Sequence, residues 1–363
     1  MKLSHKGVVN IFHNEYILEE DKISSLHEKS YLSASKTSSK KWKKVREFCI
    51  EKALLLVSIL SGLMILIIFA FIAAKSAKVF QANGIKFATT LGFDRQIWQA
   101  ARSVVDQPVK NFGALGLIIG TLYTSLGALL ISAPIGILTA VVITELAPKW
   151  LRRPFQTFIR YLASVPSVIY GLVGILVIVP FIKNHFITLE MQTKYISYFQ
   201  MTGRSFIAGV IVLSFMILPI ITALTIDALK AVPRRYKEAA YALGFSPWRT
   251  IVKVLLPSAK SGIFAGIILA VGAAMGEAIA LSMVIGGIPN VPNPAMCSNP
   301  LDSLYTPVLT LATAIVNKSE TLSGEYTSSA LFACGVLLLV TCAILSFLSK
   351  AVDYIVKRRV GLE

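Results

Sequence analysis

Six stretches of the chain, residues 53–74, 113–144, 161–182, 205–226, 261–287 and 327–349, each run for 22 residues or more and hold one charged residue between them, Glu277. A hydrocarbon layer about 30 Å thick is crossed by about 20 apolar residues of helix, at a rise of about 1.5 Å per residue. In lipid every backbone amide must be satisfied within its own segment, so each stretch reads as a helix. The expected fold class is therefore all-α, a polytopic membrane protein with six transmembrane helices. Composition agrees, with 55% hydrophobic and 15% charged residues, where soluble chains carry about 25% charge. The second stretch is too long for one straight crossing, so a tilt, a kink at Pro134 or an interfacial start is expected. The first follows a long polar tail and exceeds the apolar core of a cleaved leader, so it reads as a retained anchor. Two regions result: a tail over 1–42 and a six-span domain over 43–363.

The chain carries 36 Lys and Arg against 19 Asp and Glu, a net charge of +17. A soluble chain so basic would point to nucleic acid. Here the positions decide otherwise. The tail end before the first span, the two connections 145–160 and 230–260, and the C-terminus together hold 22 Lys and Arg, while the three intervening connections hold ten. Basic residues favour the cytoplasmic side, so both termini are expected in the cytoplasm, and nucleic-acid binding is left without support. Cys49, Cys297, Cys334 and Cys342 have neither metal-ligand spacing nor the density of a disulfide framework, and the four histidines are dispersed.

The connection at 230–257 is the most informative. Residues 234–243 are rich in helix formers, and Gly244 suits the left-handed residue that stops a helix. Ser246 suits an N-cap and Pro247 the first helical position. Trp248, Ile251, Val252 and Leu255 then recur at helical spacing as an apolar face, and Pro257 is expected to end this second short helix. Glu238-Ala239-Ala240, three residues, Gly244, nine residues, then Val254-Leu255-Leu256-Pro257 resembles the EAA loop of bacterial ABC-type importers in type and spacing. The resemblance implies a type I importer permease with ATPase subunits docked in trans on Glu238, Ala239, Ala240, Gly244 and Pro257. Small residues at 239 and 240 let a helix lie deep in a partner's groove, where Glu238 meets a basic group. The chain holds no Gly-x-x-x-x-Gly-Lys-Ser/Thr loop. ATP and magnesium are accordingly expected on the ATPase partners, no cofactor in this chain, and transport without catalysis of its own.

Further motifs extend the resemblance over about residues 80–350 to phosphate-importer permeases of the Pst type. They are Phe112-Gly-Ala-Leu115, Gly120-Thr-Leu-Tyr-Thr-Ser125, Thr144-Glu-Leu-Ala-Pro148, Leu162-Ala-Ser-Val-Pro-Ser-Val-Ile-Tyr-Gly171 and Gly276-Glu-Ala-Ile-Ala-Leu-Ser-Met-Val-Ile-Gly286. The last is similar to the C-type permease of the pair. The resemblance implies phosphate as substrate, a second related permease, two ATPase subunits and an exported binding protein. One departure bears on the substrate: Ala273 stands where the family usually has Arg, so Glu277 lacks its expected basic partner. Other oxyanions, molybdate or sulfate, are the alternative. An ion-coupled transporter with a coincidental Glu-Ala-Ala and a sensory member of a complex are alternatives of other classes.

The candidate pathway or gate residues are Gly276, Glu277 and Ser282, with Ser164 and Ser167. An unpaired carboxylate inside a span costs several kcal/mol, so Glu277 is expected to be a gate element or a polar plug between helices. Ser164-Val-Pro166-Ser167 reads either as a broken-helix anion site or as a kink whose hydroxyls satisfy freed carbonyls. Thr121, Thr124 and Ser125 are expected to serve helix packing. The outer loop from Gly286 to Pro294 reads as extended, a contact for a binding protein or a cap on the outer mouth.

Overall fold

A computed structural model describes residues 46–102, 110–292, 297, 299–321 and 324–359. The tail over 1–42 and Pro294 therefore lie outside the described residues. The chain divides into two compact units, 1–69 and 70–363. In the first, the described residues belong to helix α1 (Arg46–Asn83). Its Leu54, Leu56, Ile59 and Ile65 are exposed, as a lipid-facing helix requires.

The second unit is all helix and loop. It contains the end of α1, then α2 (Lys86–Thr89), α3 (Phe93–Arg102), α4 (Leu115–Val141), α5 (Lys149–Ala163), α6 (Ser167–Val173), α7 (Val179–Phe186) and α8 (Leu189–Tyr195). There follow α9 (Phe206–Ala231), α10 (Arg234–Ala242), α11 (Pro247–Thr250), α12 (Leu256–Gly276), α13 (Ile279–Val284), α14 (Leu311–Asn317) and α15 (Glu325–Arg359). Among the described residues, six helices are long and apolar enough to cross a membrane: Arg46–Asn83, Leu115–Leu146, Ser167–Phe186, Phe206–Ala231, Pro247–Gly276 and Glu325–Ala351.

Two spans fall well short of their expected extents at one end. The third starts at Ser167, because the chain breaks at 164–166 and leaves α5 as a separate amphipathic helix. Pro166 cannot donate an amide, and its ring disfavours helical backbone at Val165. The fifth ends at Gly276, where Glu277 turns extended. The long second stretch forms one helix that passes through Pro134.

Three π-helical turns, Val142–Leu146, Gly174–Ile178 and Ile251–Leu255, each end two residues before a proline: Pro148, Pro180 and Pro257. In each the residue before the proline donates to the carbonyl five residues back, Ala147 to Val142, Val179 to Gly174 and Leu256 to Ile251. A wide turn relieves the clash and missing bond that a proline brings to an α-helix. Pro257 therefore does not end a helix, as the sequence suggested. It sits in the first turn of α12, and α11 runs on through the wide turn into the fifth span.

The centre of the second unit is α9, packed on α4 and α12. Leu213, Ile217 and Ile221 of α9 are buried against Ala128, Ala270 and Ala274. The Ser214 hydroxyl donates to Val210 O at 2.7 Å and reaches Ala128 O of α4 at 3.3 Å. At one end, Ile143, Ile159, Leu229, Ile251 and Leu255 close the core beneath the 230–257 connection. At the other, Phe87, Phe93, Ile97 and Phe112 close it with Leu309 and with Leu311, the first residue of α14.

Candidate functional site

The 230–257 segment is built as its residues dictate. Helix α10 stops at Gly244, whose φ is +77°, a conformation glycine adopts without the strain a Cβ brings. The Gly244 amide donates to Tyr241 O at 2.9 Å and the Phe245 amide to Ala240 O at 3.0 Å, the paired bonds of a Schellman stop. The Ser246 hydroxyl accepts from the Arg249 amide, and Pro247 takes the first helical position. Ala240 is buried, while Glu238 and Ala239 face outward. Leu243 is 77% exposed and Trp248 57% exposed, beside Tyr236 and Tyr241. This apolar relief at a water-facing connection is what a docking surface presents. The expected single apolar face is split: Ile251 and Leu255 are core, while Trp248 and Val252 are exposed.

The segment borders a cleft of about 740 Å³ lined by Glu145, Arg152, Lys230, Lys237, Glu238 and Tyr241 among others. Lys237 of α10 forms an ion pair with Glu145, which lies in the wide turn that ends α4. Arg152 of α5 donates to Ala147 O at 2.8 Å and Glu145 O at 3.2 Å, satisfying carbonyls at that end. Arg160 and Asp227 pair at 3.0 Å, and Lys230 donates to Gln156 at 2.6 Å, joining α5 to α9. The Glu145–Lys237 pair was not foreseen as a unit. Glu145 stood in a recognised motif and Lys237 beside Glu238, but nothing in the sequence joined them.

The candidate pathway residues fall on two neighbouring elements. Helix α6, which begins at Ser167, packs on α13, which carries Ser282. A Cβ on Gly171 would lie 2.8 Å from Ala280 Cα and 2.8 Å from Met283 Sδ, so this approach needs glycine there. Glu277 lies at the break between α12 and α13, half-buried, with Gly276 exposed beside it. Its carboxylate accepts the Ala280 amide at 2.9 Å and so caps α13. Ala273, one turn earlier on α12, supplies no cation, and Glu277 makes no ion pair among the described residues.

The hydroxyls are less available. Ser164 donates to Tyr161 O at 2.8 Å and Ser282 to Ile279 O at 2.8 Å. Tyr170 reaches back across the break to Leu162 O at 2.9 Å. Thr121, Thr124 and Ser125 donate to carbonyls of their own helix at 2.7 Å. Thr121 also accepts the Leu311 amide at 2.9 Å, which anchors the start of α14 on α4. That anchor is not legible in the sequence, because Leu311 lies 190 residues from Thr121 and belongs to no motif.

Residues 132–360 match the family described as "Binding-protein-dependent transport system inner membrane component". A phosphate transport system permease protein, PstC, of Pasteurella multocida (strain Pm70) is 37% identical over 249 residues, covering 65% of this chain and 73% of that protein. A PstC of Xylella fastidiosa (strain 9a5c) is also 37% identical over 249 residues, covering 66% and 73%. In fold, the chain is similar to one from the bacterial alginate ABC transporter crystallised with an alginate pentasaccharide-bound periplasmic protein. That match has a TM-score of 0.52 at 17% identity and covers 88% of this chain and 97% of the other. A multi-pass helical bundle, a capped Glu-Ala-Ala segment at a water-facing connection and a family match over most of the chain agree: the chain belongs to the inner-membrane permease components of binding-protein-dependent, ABC-type importers.

Proposed function

We propose that this permease carries inorganic phosphate inward by alternating access. It pairs with a second, related permease, and two ATPase subunits dock on the 230–257 segment and bind ATP and magnesium. An exported binding protein delivers the substrate at the opposite face. Both termini are cytoplasmic, by the distribution of Lys and Arg. Closure of the ATPase dimer moves α10, and the pathway beside α6 and α13 switches its opening. The observation that carries this reading is the exposed Glu238-Ala239 edge with Leu243 and Trp248, presented on a rigid Schellman stop. The phosphate assignment is supported by the relatives in Pasteurella multocida and Xylella fastidiosa, both phosphate transport system permeases.

The test is uptake of radiolabelled phosphate into proteoliposomes holding the complete complex. Uptake that requires internal ATP, resists excess sulfate and molybdate, and is lost together with ATPase association in Glu238→Lys supports the reading. Uptake driven by an ion gradient without ATPase subunits overturns it. One observation bears on a second substrate reading: Ala273 stands where phosphate-importer permeases usually have Arg, so a change of oxyanion preference is the alternative. Molybdate or sulfate carried in preference to phosphate would establish that alternative.

A further inference from the structure

The Glu145–Lys237 pair joins two elements that the transport reading separates. Lys237 stands on the docking helix, next to Glu238, while Glu145 stands at the end of α4, the helix that holds the opposite loop through Thr121 and Leu311. The Glu145 side chain is 14% exposed and that of Lys237 35%, so the pair is screened less than a surface contact. The wide turn over Val142–Leu146 brings Glu145 to α10. Arg152 fixes the backbone on either side of it through Glu145 O and Ala147 O. The carboxylate is thus held at its base by α5 and at its tip by α10. The cleft beside it separates the remaining surfaces of α10 from α5 and the end of α9, so the ion pair bridges a gap that is otherwise loosely filled.

We propose that Glu145 is a positioning residue for transport: its ion pair with Lys237 ties the docking helix to α4, so that α10 cannot move without moving α4. This rests on the reading of α10 as the surface on which ATPase subunits act. The pair neither touches substrate nor contributes to ATP hydrolysis. Its removal uncouples the two.

The experiment measures substrate imported per ATP hydrolysed by the full complex in proteoliposomes. It compares the native chain with Glu145→Gln, Lys237→Met and the exchanged pair Glu145→Lys with Lys237→Glu. Co-purification of the ATPase subunits is scored in parallel. Each single variant is expected to lower the ratio at least fivefold with the ATPase still bound, and the exchanged pair to recover at least half of it. A ratio unchanged in both single variants overturns the proposal, as does a parallel fall in uptake and hydrolysis, which is what a merely structural contact gives. An exchanged pair that assembles but stays as uncoupled as the single variants also overturns it. Glu238→Lys separates the two levels. If that variant keeps its ATPase subunits, the docking reading fails. If it loses them while Glu145→Gln keeps the native ratio, the inference alone fails.

Discussion

Glu277 shows how one side chain combines two duties. Its backbone turns extended at the end of α12 and its carboxylate caps α13 through the Ala280 amide, and it places an acid where no ion-pair partner stands among the described residues. The duties separate by substitution. Glu277→Gln keeps an oxygen for the amide, so stability is expected to hold within about 0.5 kcal/mol, whereas Glu277→Ala loses the cap and about 1 kcal/mol. Transport is expected to fall several-fold in both, and uptake by the purified complex beside its thermal unfolding reads the two effects apart. Thr121 presents a simpler case. Thr121→Val leaves the buried Leu311 amide without its acceptor, at a cost of roughly 1–3 kcal/mol. Thr121→Ser keeps the bond and most of the stability. Amide exchange at Leu311, faster in the valine variant only, checks this.

Among the elements, α3 and α14 are held together by Lys318. Its ammonium pairs with Asp94 and lies 5.0 Å from the Trp98 ring centroid, with only 10% of the side chain exposed. Lys318→Met is expected to cost roughly 1–3 kcal/mol, between the values for exposed and fully buried pairs, and adding Asp94→Asn recovers part of that. Unfolding of the detergent-solubilised protein measures both. Elements governed by local rules could be read from the chain: the apolar runs gave the spans, and Gly244, Ser246 and Pro247 each imposed its own backbone geometry. Pro257 misled, because a proline stops a helix only while the turn before it stays α, and a proline alone does not announce a wide turn: Pro134 and Pro219 sit inside regular α-helices. Glu277 was legible as an acid within a span but not as a cap, since the break after Gly276 arises where α13 packs on α6. Glu145 and Lys237 lie 92 residues apart, and tertiary packing alone joins them.

For the whole molecule, the sidedness inferred from the basic residues has a chemical check already in place. Cys297 lies in the connection opposite the 230–257 segment, beside Tyr195 and Asp302. Burial raises its thiol pKa, as does the Asp302 charge, while the Tyr195 hydroxyl opposes them. The thiolate is the reactive form, so an impermeant maleimide should label Cys297 from outside, slowly at neutral pH and faster as pH rises. Asp302→Asn should speed it, and a cysteine placed at Leu243 should react from the cytoplasmic side alone. Labelling of Cys297 from the cytoplasm would invert the topology.

The three wide turns also bear on how such a chain tolerates changes in length. Each houses one residue more than a regular turn, and the helix on either side keeps its facing because the excess is absorbed locally. Deleting one residue within 251–255 together with Pro257→Ala therefore closes the turn to an ordinary one and leaves α12 facing as it does now. The same deletion in the middle of α9, which has no such reserve, rotates everything beyond it by about 100° and turns Ile221 and Ile226 out of the core. Gains and losses of single residues along this lineage should therefore have accumulated at the wide turns and been purged from α9.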